Sequence, residues 1–121
     1  MKLVRAVNTA RAKELGARIG VADTWWLRLR GLGGRTGVAP GEGLLLTPCR
    51  AVHMFGIRFA LDVLFLDAGN RVVAAYRGLG PGQRTRWHRA ARAALELPPG
   101  TLATTGTEEG DVIEYQEAAI P

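Results

Sequence analysis

The sequence predicts a mainly β or α+β fold: a small, mostly antiparallel, β-barrel-like domain with one short helix near residues 23–33. Roughly six or seven short apolar runs are separated by turn-forming residues, which is typical of sheet proteins. No strand–helix–strand alternation is present, so a doubly wound parallel sheet is not expected. The length of 121 residues, with 47% hydrophobic and 22% charged residues, fits one compact domain over residues 1–121.

The first third of the chain contains two predicted strands and the helix. Residues 2–7 alternate loosely between apolar and polar side chains and predict a short edge strand, and residues 18–21 predict a second strand. Asp23 can cap a helix whose apolar residues recur at helical spacing. Glycines follow the last of these residues and end the helix near residue 33.

The remaining chain is predicted to be mostly β structure. The predicted strands cover residues 44–46, 52–59, 61–66, 71–76, 93–97 and 112–116, with a short helical turn at 101–105. The run at 61–66 is apolar on both faces except for Asp62, which indicates a central strand covered on both sides. The turn at residues 67–70 predicts that this strand and the next form a hairpin.

The charge of the chain is basic overall and unevenly distributed. The 16 Lys and Arg residues against 11 Asp and Glu residues leave a net charge of +5. Residues 1–92 contain all 16 basic residues and five acidic ones, which leaves +11, whereas residues 93–121 contain six acidic residues alone, which leaves −6. This distribution predicts a cationic surface for an anionic partner. The alternative is that the acidic end folds back and neutralises arginines of the same domain.

Cys49 is the only cysteine, so no internal disulfide can form and a reducing compartment is favoured. Cys49, His53 and His88 lack the spacing of a zinc site, and we expect neither a metal nor another cofactor. A thiolate role for Cys49 would need activation by His53, and no oxyanion element is visible beside it. No apolar run approaches the length of a membrane span and the amino terminus lacks a signal-peptide core, so we expect a cytoplasmic protein without membrane insertion.

Residues 43–67, with the sequence GLLLTPCRAVHMFGIRFALDVLFLD, resemble the central signature of the DUF192 family, a bacterial and archaeal group of unknown function. The resemblance extends to the shorter motifs RGL at 30–32, LELP at 95–98 and GD at 110–111, and so spans residues 14–117. Ile57 stands where the family usually has methionine, and Ala60 stands where it usually has proline. The resemblance implies a compact β-rich, barrel-like domain and supplies no established activity.

Asp62 is the most informative single residue. It lies between Leu61 and Val63 in the most apolar part of the chain, where an unpaired carboxylate would cost several kcal/mol. Its partner must therefore be Arg58, His53 or a row of backbone N–H groups. One hypothesis is that Asp62 orients His53 as a base. The other is that Arg58 and Asp62 form a partly buried pair that closes a bend in the sheet.

His53, Arg58 and Asp62 match the polar positions of the family signature, and the resemblance favours a functional role for them. Together with Arg30 they form the predicted ligand-binding set. The alternative for His53 is a satisfied core residue, because a period of two places it with Phe55 on one face of a strand.

Residues 84–92 (RTRWHRAAR) interleave arginines with Trp87. Cations and rings together are typical of nucleic-acid contacts. No recognised nucleic-acid fold signature is present, so nucleic acid is not the partner that we expect. The alternative is a solvated loop whose Trp87 plugs the end of the barrel, while Arg89 and Arg92 pair with the C-terminal acids.

The leading hypothesis is a non-catalytic binding module whose cationic pocket, formed by His53, Arg58, Asp62 and Arg30, holds an anion. The ligand would be a small anion, an acidic sugar or an acidic segment of a protein partner. The enzymatic alternative is a small hydrolase or lyase in which Asp62 orients His53 and Arg58 stabilises developing negative charge. A third hypothesis is a structural or interaction subunit of a larger assembly. We expect a monomer or a weak homo-oligomer.

Overall fold

The computed structural model describes residues 1–24, 32 and 34–118. Its strands are β1 (Lys2–Asn8), β2 (Lys13–Ala22), β3 (Glu42–Leu46), β4 (Leu61–Leu66), β5 (Val72–Leu79), β6 (Ala93–Leu97) and β7 (Ile113–Glu117). A short helix, α1 (Thr101–Thr105), follows β6. None of the helical structure in the described residues has the length and apolar character that a membrane span needs.

The strands form one seven-stranded sheet in the order β5-β4-β6-β3-β2-β1-β7. The pairing is antiparallel throughout, except that β2 and β3 are parallel. The sheet curls so that its two edge strands meet at their beginnings, where Arg71 and Val112 form an isolated bridge. The N–H of Val72 also donates to the carbonyl oxygen of Asp111 (2.8 Å). The predicted mainly β, mostly antiparallel and barrel-like fold is confirmed.

Several predicted elements differ in detail from the structure. Residues 52–59, predicted as a strand, form a loop in which Gly56 has a φ of 76°. β1 lies between β2 and β7, so it is not the edge strand that the sequence predicted. Of the helix predicted at 23–33, residues 25–31 and 33 lie outside the described residues.

The central strand β4 is covered on both faces, as predicted. Its side chains alternate between two apolar clusters, and all of them are buried. Leu61, Val63 and Phe65 belong to one cluster, and Leu64 and Leu66 belong to the other. We call the side of the sheet that carries Leu61, Val63 and Phe65 the loop face, because buried residues of the loops 47–60 and 80–92 pack into its cluster.

The side chain of Glu96 points into the loop face and has no hydrogen-bond partner among the described residues. Glu96 on β6 is 6% exposed and pairs with Leu44 of β3 and Val63 of β4, and directly paired residues point to the same side of a sheet. Among the described residues, nothing donates a hydrogen bond to its carboxyl group. Burial raises the pKa of Glu96 to about 7.

Replacing Glu96 by glutamine is expected to remove a pH dependence of stability. A carboxyl group whose pKa rises from 4.5 to about 7 on folding contributes stability that is fully present below the lower value and lost as the pH passes the higher one. The loss is on the order of 3 kcal/mol. Urea denaturation at pH 5 and pH 8 should therefore show a larger fall for the parent protein than for Glu96→Gln. The same fall in both proteins would contradict the assignment.

Candidate functional site

Two loops lie side by side on the loop face and form one paired unit. We call residues 48–58 and 82–92 the loop pair. The backbone hydrogen bonds between them run from Met54 N to Gln83 O (2.8 Å), Thr85 N to Val52 O (2.9 Å), His88 N to Arg50 O (2.8 Å) and Cys49 N to Arg92 O (3.0 Å). These contacts hold the central segment of the predicted family signature against the arginine-rich segment, an arrangement that neither segment indicates alone.

Buried polar side chains anchor the loop pair from below. The hydroxyl of Thr85 accepts a hydrogen bond from the N–H of Val52 (3.0 Å) and donates one to the carbonyl of Arg86 (2.9 Å). His88 is 5% exposed and stacks on Phe65, with 4.4 Å between the ring centroids. Thr85 and His88 both hold residues 82–92 against the rest of the protein, and local sequence patterns indicate neither role.

The ring of His88 is held by Tyr76 and has a lowered pKa. Its Nε2 atom lies 2.6 Å from the hydroxyl of Tyr76, and the rings of Tyr76 and His88 meet edge to face. Burial lowers the pKa of His88, and the positive charge of Arg86 lowers it further. His88 therefore contributes packing and a hydrogen bond to the loop pair, whereas the positive charge of the site comes from arginine.

The outer side of the loop pair is cationic and aromatic. His53 and Arg84 pair across the two loops in an isolated bridge, and both side chains are exposed. The ring of Phe55 lies 5.6 Å from that of His53 and is 68% exposed, and Trp87 is 64% exposed. The other exposed cations of the loop pair are Arg58, Arg86, Arg89 and Arg92.

In the part of the chain that the structure describes, the arginines of the loop pair form no ion pair with an acid. Within the described residues, the ion pairs are Arg5–Glu14, Arg11–Glu108, Arg11–Asp111 and Arg35–Glu42. The acidic C-terminal segment does fold back, but it pairs with Arg11 near β1. The predicted alternative in which Arg89 and Arg92 pair with C-terminal acids is therefore wrong. Glu108 and Asp111 lie beside Arg11 because the pairing of β7 with β1 brings residues 108–111 next to the turn that follows β1.

A concave region of about 370 Å³ opens at one end of the loop pair. It is lined by Pro48, Cys49, Arg50, Trp87, Ala91 and Arg92. The guanidinium of Arg50 is fixed at its edge, since Nε donates to the carbonyl oxygen of Ala91 (3.0 Å). The volume lies within the range of small-molecule sites. Two guanidinium groups and an indole ring can together hold an anionic group that carries a flat ring.

Asp62 lies apart from this surface, as a buried structural carboxylate. It is 1% exposed, and its two oxygens accept hydrogen bonds from the N–H groups of Gly78 (2.9 Å) and Leu102 (2.9 Å). The sequence allowed Arg58, His53 or backbone N–H groups as partners of Asp62, and the structure has backbone N–H groups. Within the described residues, Asp62 makes no hydrogen bond or ion pair with His53 or Arg58.

The predicted site residues are therefore only partly brought together. His53 and Arg58 are exposed residues of the loop pair, whereas Asp62 holds β4 to the end of β5 and to α1. Arg30 lies outside the described residues. Among the described residues, no three His, Cys, Asp or Glu side chains are grouped so that they could hold a metal ion.

Comparison with known proteins finds a family model and relatives that match most of this chain. The family model DUF192, described as "Uncharacterized ACR, COG1430", matches residues 6–115. A UPF0127 protein of Thermococcus kodakarensis is 30% identical, over 95% of this chain and 78% of the relative. A UPF0127 protein of Thermococcus sibiricus is 29% identical, over 95% of this chain and 79% of the relative.

Two crystal structures resemble the fold over nearly the whole chain. One is of a "putative transcription regulator" from Sinorhizobium meliloti, with a TM-score of 0.78, 24% identity and coverage of 94% of this chain and 92% of the other. The second is of a protein of unknown function from Novosphingobium aromaticivorans, with a TM-score of 0.79, 24% identity and coverage of 93% and 83%. At this level of identity the likeness concerns the fold alone.

The substitution Asp62→Asn is expected to destabilise the protein by about 2 kcal/mol, since an amide can accept only one of the two N–H bonds with its oxygen. Chemical denaturation measures the change. Glu114→Gln is the matched control, because Glu114 is an exposed carboxylate on β7 and its replacement should leave the unfolding midpoint unchanged. Equal midpoints for the parent and Asp62→Asn would show that the two bonds do not support the fold.

Proposed function

Because this chain belongs to the DUF192 family, which is described as uncharacterised, we propose a function from its own surface: a non-catalytic module that binds an anionic ligand on the loop pair. The ligand class is a small anion, an acidic sugar or an acidic segment of a partner protein. Arginine suits such a ligand because its planar guanidinium binds carboxylate or phosphate with two parallel hydrogen bonds.

The observation that carries this proposal is the set of arginines on the loop pair that have no acidic partner among the described residues. Arg84, Arg86, Arg89 and Arg92 are exposed, and the four ion pairs of the described residues involve other arginines. Like charges gathered on one surface repel each other, and a bound anion relieves that repulsion. The concave region beside Arg50 and Arg92 supports a defined ligand position within this surface.

The sequence-predicted set enters this proposal in two different roles. His53 and Arg58 are proposed to touch the ligand, since both are exposed on the loop pair and His53 faces Arg84 across the bridge. Asp62 is proposed as a positioning residue, since its carboxylate binds backbone N–H groups. Arg30 remains a prediction from the sequence.

The proposal is non-catalytic because the acid–base pair of the enzymatic alternative is not assembled. A hydrolase or lyase of that kind needs Asp62 to hold the ring of His53 in a fixed orientation. Both oxygens of Asp62 are already engaged by backbone donors. His53 has Phe55 as its ring neighbour instead.

Charge reversal on the loop pair is expected to weaken anion binding. The double variant Arg84→Glu, Arg86→Glu should bind heparin at least about tenfold more weakly than the parent in a titration at 50 mM salt. The matched control is Lys13→Glu, Arg18→Glu, which makes the same change of charge at exposed positions of β2. The control should change the dissociation constant by less than about threefold.

Binding by the parent should also weaken steeply as the salt concentration rises from 50 to 300 mM, because exposed charges are screened. The proposal fails if the two double variants lose affinity equally or if salt leaves binding unchanged. It fails as well if the parent binds none of heparin, inositol hexakisphosphate and poly-glutamate at 50 mM salt.

A further inference from the structure

We infer that the anion bound by the loop pair is single-stranded nucleic acid, with phosphates on the arginines and bases stacked on Trp87 and Phe55. This inference rests on the proposed function, but it replaces the ligand classes given there and departs from the sequence-based expectation against nucleic acid. Its basis is the combination of free cations with exposed aromatic rings on one paired surface.

Within the described ranges 1–24, 32 and 34–118, the exposed large aromatic rings lie on the loop pair. Four large apolar side chains are exposed among the described residues, and the two aromatic ones, Phe55 and Trp87, both belong to the loop pair. An indole left 64% exposed has a large apolar surface in contact with water. Stacking on a base removes that surface from water and contributes about 1–3 kcal/mol per base.

The exposure of Trp87 also corrects a prediction from the sequence. Trp87 was expected, as one alternative, to plug the end of the barrel, and that alternative is wrong. His88 occupies the space beneath this loop instead, on top of Phe65 and beside Tyr76. Because the neighbouring ring fills the interior, the indole of Trp87 is directed to the surface.

The concave region next to Trp87 combines the two contacts that a nucleotide needs. Its lining includes the indole of Trp87 for a base and the guanidinium groups of Arg50 and Arg92 for a phosphate. Guanidinium planes can themselves stack on a base as well as bind phosphate oxygens. Phe55 and His53 offer a second stacking position toward the other end of the loop pair.

The dimensions of the loop pair suit a short stretch of single strand. Trp87 lies between Thr85, which bonds to Val52, and His88, which bonds to Arg50, so Phe55 is four residues further along the opposite loop. Four residues span at most about 13 Å, and the turn at residues 55–56 shortens that span. Only unpaired bases present their faces to such rings, since a duplex hides them in its stack. Acidic sugars and acidic peptides carry charge but offer no flat ring to Trp87 or Phe55.

Fluorescence anisotropy with labelled 12-nucleotide oligothymidine tests the inference against three competing anions of known composition. These are a duplex of the same length, heparin and poly-glutamate. The single strand should bind at least about fivefold more tightly than the duplex at equal salt. Trp87→Ala and Phe55→Ala should each weaken oligothymidine binding by at least about fivefold, and heparin binding by less than about twofold.

Two further variants separate stacking from a general loss of structure. Trp87→Phe keeps a ring and should retain most of the affinity for oligothymidine. Leu3→Ala removes an exposed apolar side chain of β1 outside the loop pair and should leave affinity unchanged. Circular dichroism and the thermal midpoint of each variant should match those of the parent.

The outcomes distinguish this inference from the proposed function. If oligothymidine and heparin bind equally and neither is affected by Trp87→Ala, the inference is overturned while anion binding stands. If poly-glutamate or heparin binds more tightly than the single strand, the inference is likewise overturned in favour of an acidic partner. If no polyanion binds, both proposals fall.

Discussion

The backbone pairing between the two halves of the loop pair is the constraint on which the candidate site depends, and the register of the sheet imposes it. The end of β3 lies beside the beginning of β6, where Leu46 pairs with Ala94. The beginning of β4 lies beside the end of β5, where Leu61 pairs with Leu79. Both connections must therefore cross the loop face between the same two places in opposite directions. Two loops on that path are neighbours, and they run antiparallel with backbone hydrogen bonds between them.

Two buried carboxylates show how differently the interior treats a charge. Asp62 has two backbone donors and ties β4 to α1, so it is compatible with a stable core. Glu96 has no donor among the described residues, and its raised pKa makes the protonated form the stable one over a wide pH range. The sheet beneath the loop face thus contains one carboxylate bound by two backbone donors and, among the described residues, one carboxyl group without a donor. The exposed charges of the loop pair belong to its arginines.

Local patterns were sufficient to predict the strands with buried faces. The predicted strands at 61–66 and 93–97 and the helical turn at 101–105 have the bounds that the structure gives. In these segments the apolar side chains of neighbouring residues determine both the conformation and the burial. The prediction at 52–59 is wrong because that segment turns at Gly56 and pairs with a loop about thirty residues away instead of joining the sheet. The alternation of apolar and polar side chains does not distinguish a segment that joins a sheet from one that pairs with a loop.

The candidate site depended on contacts of still longer range. The partner of one Asp62 oxygen is Leu102, forty residues away, and no local pattern indicates that bond. The neutralising acids of the C-terminal segment reach Arg11 rather than Arg89 or Arg92, which follows from the pairing of β7 with β1. Which ring of the adjacent Trp87 and His88 is buried depends on the space beside Phe65. The sequence could predict that these residues matter, but their partners follow only from the topology.

Backbone NMR can locate the surface on which this protein binds anions. Isotope-labelled protein would be titrated with a heparin tetrasaccharide at low salt while amide shifts are recorded. Anion binding on the loop pair predicts that the largest changes lie at residues 48–58 and 82–92. Small changes are expected on β1, on the turn that follows it and on β7, because Arg5 and Arg11 are already paired with acids. Largest changes on β1 and β7, or no changes at saturating ligand, would contradict anion binding on the loop pair.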